Sequence, residues 1–430
     1  MIAVVASAFT GTMAEVSRAV FDSAKVSVDI SLGLIGYMAF FLGLMKIGED
    51  GGLMRLLARA IRPVMVRLFP QVPADHPAMG AMILNVAANM LGLGNAATPL
   101  GIKAMHELNK LNKTPGVATD AMVLFLAINT SGLALLPTGV VSIRDLKGSA
   151  DPWAIMAPTL IATACSTVVG IFAAKSLRRF FPSPAPTETE SVVDEEAEPI
   201  PEVPSEETPE EDSRLGVVGL PVFLLASIGV LLTPAIGLAV LPSDDPRVEG
   251  LRSFAATTGD WVIPVLVASL VCFGYARGVK VYESFVVGAK EGFEIAMKII
   301  PYLVAILVAV GMFRASGAMG WLTGLLAPLI EPLGMPAEAL PMALVRPLSG
   351  SGAMGIMIEL IETHGPDSYI GMVASVLNGS TETTFYVLAV YFGSVGVHRV
   401  RHALAAGLMA DLTGALAAAA ICAAMFAHLM

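Results

Sequence analysis

Leu93-Gly94-Asn95-Ala96-Ala97-Thr98-Pro99 interrupts an apolar run, 78–102, that is otherwise long enough to cross a bilayer. Glycine and proline at its centre break a helix, and backbone groups freed in lipid cost several kcal/mol each unless protein or a polar cavity receives them. A second run, 339–361, is interrupted in the same way by Arg346-Pro347-Leu348-Ser349-Gly350-Ser351-Gly352. Each run reads as a helical hairpin that enters and leaves on one side. Two such breaks point to one central polar cavity.

Outward from the hairpins lie apolar stretches near 28–46, 119–140, 152–175, 216–241, 255–275, 293–312, 369–391 and 403–427. About 20 apolar residues cover the roughly 30 Å hydrocarbon layer, so these stretches are predicted to span a membrane. Ahead of each hairpin sits an amphipathic stretch, 52–69 with Arg55, Arg59, Arg62 and Arg67, and 318–334 around Trp321 and Pro328. Both are expected to lie in the interface. The opening Met1 to Phe9 run, apolar without a basic region, reads as a shortened first span or a mis-set start.

Composition agrees with this class: 55% of residues are hydrophobic and 14% charged, where a soluble chain has about a quarter charged. Residues 181–214 hold 12 of the 36 acidic residues and 7 of the 28 prolines, so the net charge of −10 belongs to one segment. That segment cannot bury enough apolar surface to offset the entropy of ordering and is expected to be a disordered linker. It divides the chain into a first membrane repeat, 1–180, and a second, 215–430.

Several chemistries drop out. Basic residues are scattered between apolar runs, which excludes a nucleic-acid surface. Cys165, Cys272 and Cys422 stand apart inside apolar runs, as small packing residues rather than a disulfide or zinc set. Only His398 and His402 are spaced four apart among the six histidines, with no third ligand near, so no metal site is expected. Gly350-Ser351-Gly352-Ala353-Met354-Gly355 fits the dinucleotide pattern but follows no strand, so it reads as a hairpin tip. No protease signature occurs, and the chain is not expected to be an enzyme.

The halves repeat one order of elements: span, amphipathic stretch, broken hairpin, span with a polar centre, closing span. At an offset of 265, Gly52 matches Gly317, Met54 matches Met319 and Pro63 matches Pro328; at 257, Asn89 matches Arg346; at 249, Asn129-Thr130-Ser131 matches Asn378-Gly379-Ser380. Four spans separate the first copy from the second, which makes the repeats inverted across the membrane. Inverted repeats with broken helices at the midplane are the architecture of many secondary transporters. Threading the chain this way places 17 Lys and Arg in cytoplasmic segments and 7 outside, Arg144 among the latter. Retention of basic loops inside favours that orientation and puts the linker in the cytoplasm.

The expected class is therefore an all-α polytopic membrane protein of two inverted repeats, each with a re-entrant helical hairpin and a broken helix. Its cavity should be lined by Asn85, Asn89, Asn95 and Thr98 of the first hairpin, and by Asn129, Thr130 and Ser131 of the span after it. The second half adds Arg346, Ser349 and Ser351, then Asn378, Ser380, Thr381, Glu382, Thr383 and Thr384. Charges at membrane depth need partners, so Arg346 and Glu382 are expected to meet, either as a structural ion pair or as an anion-holding fork beside a carboxylate that takes a coupling ion. Asp120, Glu359 and Asp411 are secondary candidates.

Asn85-Val86-Ala87-Ala88-Asn89-Met90-Leu91-Gly92-Leu93-Gly94-Asn95-Ala96-Ala97-Thr98-Pro99-Leu100-Gly101 resembles the hallmark of spore maturation protein A. Arg346 through Gly352, Gly365-Pro366-Asp367-Ser368 and the run from Asn378-Gly379-Ser380-Thr381-Glu382 to Gly393 resemble spore maturation protein B. The chain thus looks like a fusion of the two, a family grouped with the nucleoside recognition (Gate) domain of concentrative nucleoside transporters and ferrous iron permeases. The resemblance implies an inverted-repeat core. Together with the residues it suggests a cytoplasmic-membrane transporter of a small polar, nucleoside-like or anionic solute, with no cofactor beyond a coupling proton or cation. Membrane lipid and the solute are the expected partners, and a homo-oligomer is compatible. The alternative is a non-transporting scaffold of the spore maturation or envelope type that recruits a partner through its acidic linker.

Overall fold

The computed structural model describes residues 2–182, 263–330, 334–426 and 429. The span expected at 216–241, the start of that at 255–275 and nearly all of the linker lie outside the described residues. The described chain is almost wholly helical. The first half runs α1 (Ile2–Thr10), α2 (Met13–Asp50), α3 (Leu53–Leu68), α4 (Pro77–Met90), α5 (Gly94–Lys110), α6 (Asp120–Thr130), α7 (Thr138–Leu146) and α8 (Met156–Leu177). After α9 (Ile263–Ala276) come α10 (Val281–Ala315), α11 (Ala318–Ile330), α12 (Leu340–Val345), α13 (Gly350–His364), α14 (Tyr369–Ser380), α15 (Thr384–Gly393) and α16 (Ala403–Met425).

Among the described residues four helical segments are long and apolar enough to cross a membrane: α2, α8 with its flanking single turns, α10 and α16. The protein is a multi-pass membrane protein. Two expected spans are corrected. The stretch 119–140 is interrupted after Thr130 and resumes as α7, and 369–391 is interrupted at Thr381–Thr383. Apolar periodicity could not mark these stops, because Gly132 and Pro137 in one break and three β-branched or charged residues in the other sit among residues as apolar as a span. The first span is longer than read: α2 has 38 residues, about 57 Å at 1.5 Å per residue.

Local chemistry sets the helix starts. The Thr119, Ser349 and Ser368 hydroxyls accept the backbone N–H of Met122, Gly352 and Gly371 at 3.2, 3.0 and 3.0 Å, each satisfying an orphan donor of a first turn. The long helices α2 and α10 both end at a left-handed glycine, Gly52 at φ +84° and Gly317 at +77°. These are a matched pair of the repeat, and a side chain is strained in that conformation. The hairpin α4/α5 turns at Leu91–Leu93. The second hairpin is lopsided, its first arm being one turn at Ala337–Ala339 and the short α12, and it turns at Arg346–Ser349.

In lipid the close fit of small residues replaces the hydrophobic drive between helices. Along α2 and α10 a Cβ at Gly288 would stand 2.4 Å from the Leu42 carbonyl oxygen, and one at Gly292 2.5 Å from that of Met38. Each large core cluster mixes the halves. Phe125, Met82 and Met105 pack with Val387, Tyr391 and Phe392, while Phe41, Ile143 and Trp153 pack with Ile358, Val373 and Leu377. Cys422 is buried as expected; Cys165 and Cys272 are exposed, so packing does not account for them.

Candidate functional site

The two helix breaks meet. The Glu382 N–H donates to the Thr130 carbonyl oxygen at 2.8 Å, which joins the break of α14/α15 to the end of α6. Each break is also tied to the hairpin of its own half: Leu135 N–H donates to Met90 O at 2.9 Å, and Phe385 N–H to Pro347 O at 3.0 Å. Met90 and Pro347 are partners at the 257 offset, while the donors Leu135 and Phe385 are one residue out of register at the 249 offset, so the two halves tie hairpin to broken helix in a similar way. Backbone groups released by the breaks thus find partners in protein, as the low-dielectric setting requires.

Around this crossing the polar side chains form two groups. In the neutral group, the Asn89 amide donates to Asn129 Oδ1 at 2.8 Å and the Tyr391 hydroxyl donates to the same oxygen at 3.2 Å. Asn85 donates to Tyr391 Oη at 3.1 Å and to the Ala97 carbonyl at 2.7 Å, holding the two arms of the first hairpin together. Tyr391 belongs to α15 of the second half. Its apolar neighbours gave the sequence no sign of a polar role, and only the crossing of the halves puts it among the asparagines.

In the charged group Arg346 is buried at the turn of the second hairpin. Its guanidinium grips the Thr381 carbonyl oxygen, lies 3.5 Å from Thr383 Oγ1, and approaches Glu382 Oε2 at 3.9 Å. The expected approach of Arg346 and Glu382 occurs, but the hydrogen bond goes to the backbone of the break, and the Glu382 side chain stays 54% exposed. Arg346 Nε, Asn378 Oδ1 and Thr130 Oγ1 are buried without a hydrogen-bond partner. Such atoms are costly unless something polar reaches them.

The remaining predicted residues divide. Ser349 caps α13, with Ser351 Oγ at 3.4 Å from its hydroxyl. Ser131 and Ser380 turn their hydroxyls onto the carbonyls of Ile128 and Leu377 at 2.7 and 2.9 Å, which makes them helix-end residues in this conformation. Thr98 is half-buried on α5; Asn95 falls in the first turn of that helix, with its side chain outside the described part. Of the secondary candidates, Asp120 pairs with Arg401 at 2.7 Å and Glu359 with Arg314, both away from the crossing. Asp411 lies beside it, accepting the Thr384 hydroxyl at 2.6 Å.

The crossing itself is close-packed, where an open central cavity was expected. A Cβ at Gly132 would stand 2.9 Å from Glu382 N, and one at Gly414 2.4 Å from Thr381 Cγ2. Among the described residues no group of three or more His, Cys, Asp or Glu could hold a metal ion. Arg144, assigned to an external segment, is fully buried. It donates to Asp367 Oδ1 at 2.9 Å and to Pro366 O at 2.5 Å, locking α7 to the Gly365–Ser368 turn of the other half.

The family model described as Gate, nucleoside recognition, matches residues 31–147 and 296–398, just over half of the chain. This chain belongs to the nucleoside recognition (Gate) family. The two Gate stretches begin 265 residues apart, which is the offset that pairs Gly52 with Gly317. They enclose both hairpins and both broken helices and leave out α8 and α16. The chain is 50% identical over 165 residues to spore maturation protein B of Bacillus subtilis, covering 38% of this chain and 93% of that protein. It is 47% identical over 161 residues to spore maturation protein A of the same organism, covering 37% of this chain and 82% of that protein. No solved structure matches.

Proposed function

We propose that this Gate-family protein is a secondary transporter of a small polar solute, nucleoside-like or anionic, working by alternating access in the cytoplasmic membrane with the 181–214 linker in the cytoplasm. The observation that carries this reading is the meeting of two broken helices, hydrogen-bonded to each other and to a hairpin each, with a buried arginine on the break. Continuous helices would bundle more cheaply in lipid. Breaks of this kind are tolerated where backbone ends and polar side chains serve a solute or ion, and they let one repeat rock against the other.

In the conformation described, Arg346 donates to the Thr381 carbonyl and keeps Nε unpartnered. A planar five-donor fork suits a carboxylate, a phosphate or a base carbonyl, and a solute oxygen would replace the backbone oxygen when the break opens. Ser349, Ser351, Asn378 and Thr383 then supply hydroxyls and an amide for orientation, and the amide cluster of Asn89 and Asn129 forms the opposite wall. The half-exposed Glu382 would meet the solute first.

The test is a thermal-shift screen of the purified protein against nucleosides, dicarboxylates and divalent cations, repeated with Arg346→Ala and Glu382→Gln. The expected result is a ligand that stabilises the wild type and neither variant, with both variants accumulating normally in membranes. Loss of expression in both variants would instead mark Arg346 and Glu382 as a structural pair. Deleting 184–212 should leave uptake intact; loss of phenotype in that deletion, with no ligand found, would favour the scaffold reading.

A further inference from the structure

Thr384 and Asp411 form a polar pair at the crossing that solute binding leaves unused. Asp411 lies within the membrane-crossing helix α16 and is 6% exposed. Thr384, the first residue of α15, donates to Oδ2 at 2.6 Å, and Oδ1 is buried with no hydrogen-bond partner. Among the described residues no cation stands within ion-pair distance of Asp411. The helices packed against α16 here are α6, α8, α14 and α15. The charges whose fields reach Asp411 are Arg346 and Glu382, both across the break. Asp120 of α6 is paired with Arg401 at the far end, Tyr391 of α15 is taken up by the asparagines, Tyr369 starts α14 and Lys175 ends α8.

A buried carboxylate with one neutral hydrogen bond is badly placed as an anion, because desolvation opposes charge and Arg346, held on the Thr381 carbonyl, makes no ion pair with it. Two occupants could relieve it, a metal cation or a proton. A cation needs a shell of several oxygens, and the packing refuses that volume: a Cβ at Gly407 would stand 2.8 Å from Thr384 Cγ2, and one at Gly414 2.4 Å from Thr381 Cγ2. A proton needs one oxygen and no room.

We propose that Asp411 is a proton-binding site and, resting on the alternating-access reading above, the coupling site of the cycle. The carboxylate takes one proton from water on one side of the membrane, and the acid returns that proton to water on the other side. No other bond changes. The link to the solute is the break itself: Arg346 holds the Thr381 carbonyl at one end of Thr381–Thr383, and Thr384 serves Asp411 at the other. A solute that draws Arg346 off the break therefore moves the hydroxyl that supports the charged form.

The experiment uses the purified full-length protein, with infrared carbonyl spectra and thermal unfolding measured across pH for wild type and Asp411→Asn. The wild type should show a protonated-carboxyl band at neutral pH that shifts in heavy water and is missing from the variant. Asparagine has the shape of the neutral acid, so Asp411→Asn should accumulate and should unfold at the wild-type temperature at acid pH, below the roughly pH 4 at which an unfolded aspartate titrates. As pH rises above that value the wild type should lose stability that the variant keeps, until the native acid has itself released its proton, since within that window the native state holds a proton that the unfolded chain has released. Absence of the band, a band unchanged in the variant, or a variant that cannot fold would overturn the proposal. So would stabilisation by sodium chloride, over choline chloride, in the wild type alone. An intact band in a protein that binds no screened solute would leave the proton site standing and count against the transport reading.

Discussion

Arg144 has no exposed surface, yet its guanidinium is fully occupied. Besides Asp367 and Pro366 it donates to Ser149 Oγ at 3.0 Å and to the carbonyls of Asp151 and Pro152 at 3.2 and 3.3 Å. Asp367 in turn accepts from Ser149 Oγ and the Ala150 N–H at 2.5 and 2.7 Å. Removing a partner from a buried pair can cost 3–5 kcal/mol, but Asp367 is 40% exposed and water would take over part of its load. Arg144→Met is therefore expected to lower stability by about 2 kcal/mol, read as a drop in unfolding midpoint in detergent. Asp367→Asn should cost no less, because it leaves the guanidinium buried among neutral acceptors. A silent Arg144→Met would mean that the halves are not held together at this edge. Arg346 is the contrasting arginine: one strong contact, one distant hydroxyl and an unpartnered Nε. Full satisfaction suits a lock and partial satisfaction suits a site.

At the scale of elements, the pairing of α2 with α10 depends on backbone approach at Gly288 and Gly292. A side chain there would collide with main-chain oxygens of α2, which cannot move aside as a flexible side chain would. Gly292→Leu is expected to separate the helices and lower the unfolding midpoint by the equivalent of about 2–3 kcal/mol. The same change at Gly36, an exposed position of α2 where an added Cβ meets nothing within 4 Å, should be nearly silent and serves as the control. Equal effects at both positions would contradict tight packing of the pair. The broken helices obey a different rule. Their interruptions are seven residues long in the first half, 131–137, and three in the second, Thr381–Thr383, and charge lies only in the shorter one.

For the whole molecule, the inversion expected from the order of elements makes a topological demand. Cysteines placed at positions 95 and 350, after replacement of Cys165, Cys272 and Cys422, should be labelled from opposite faces by a membrane-impermeant maleimide. Labelling of both from one face would remove the inversion, and alternating access around the two hairpins with it.

Apolar runs, their central glycines and prolines, and the spacing of the repeat were sufficient to determine an all-helical membrane protein with two hairpins and the neighbourhood of Arg346 and Glu382. These features are local, and lipid turns each of them into a strong constraint on where backbone can be unpaired. Tertiary structure alone decided that the two breaks bond to each other, that Tyr391 completes an asparagine cluster from the other half, that Arg144 is buried, and that Asp411 belongs beside the site. Each of those depends on which helices are neighbours. Neighbours are chosen by the close fit of small side chains over long stretches of chain, and a residue's own sequence surroundings carry no record of that choice.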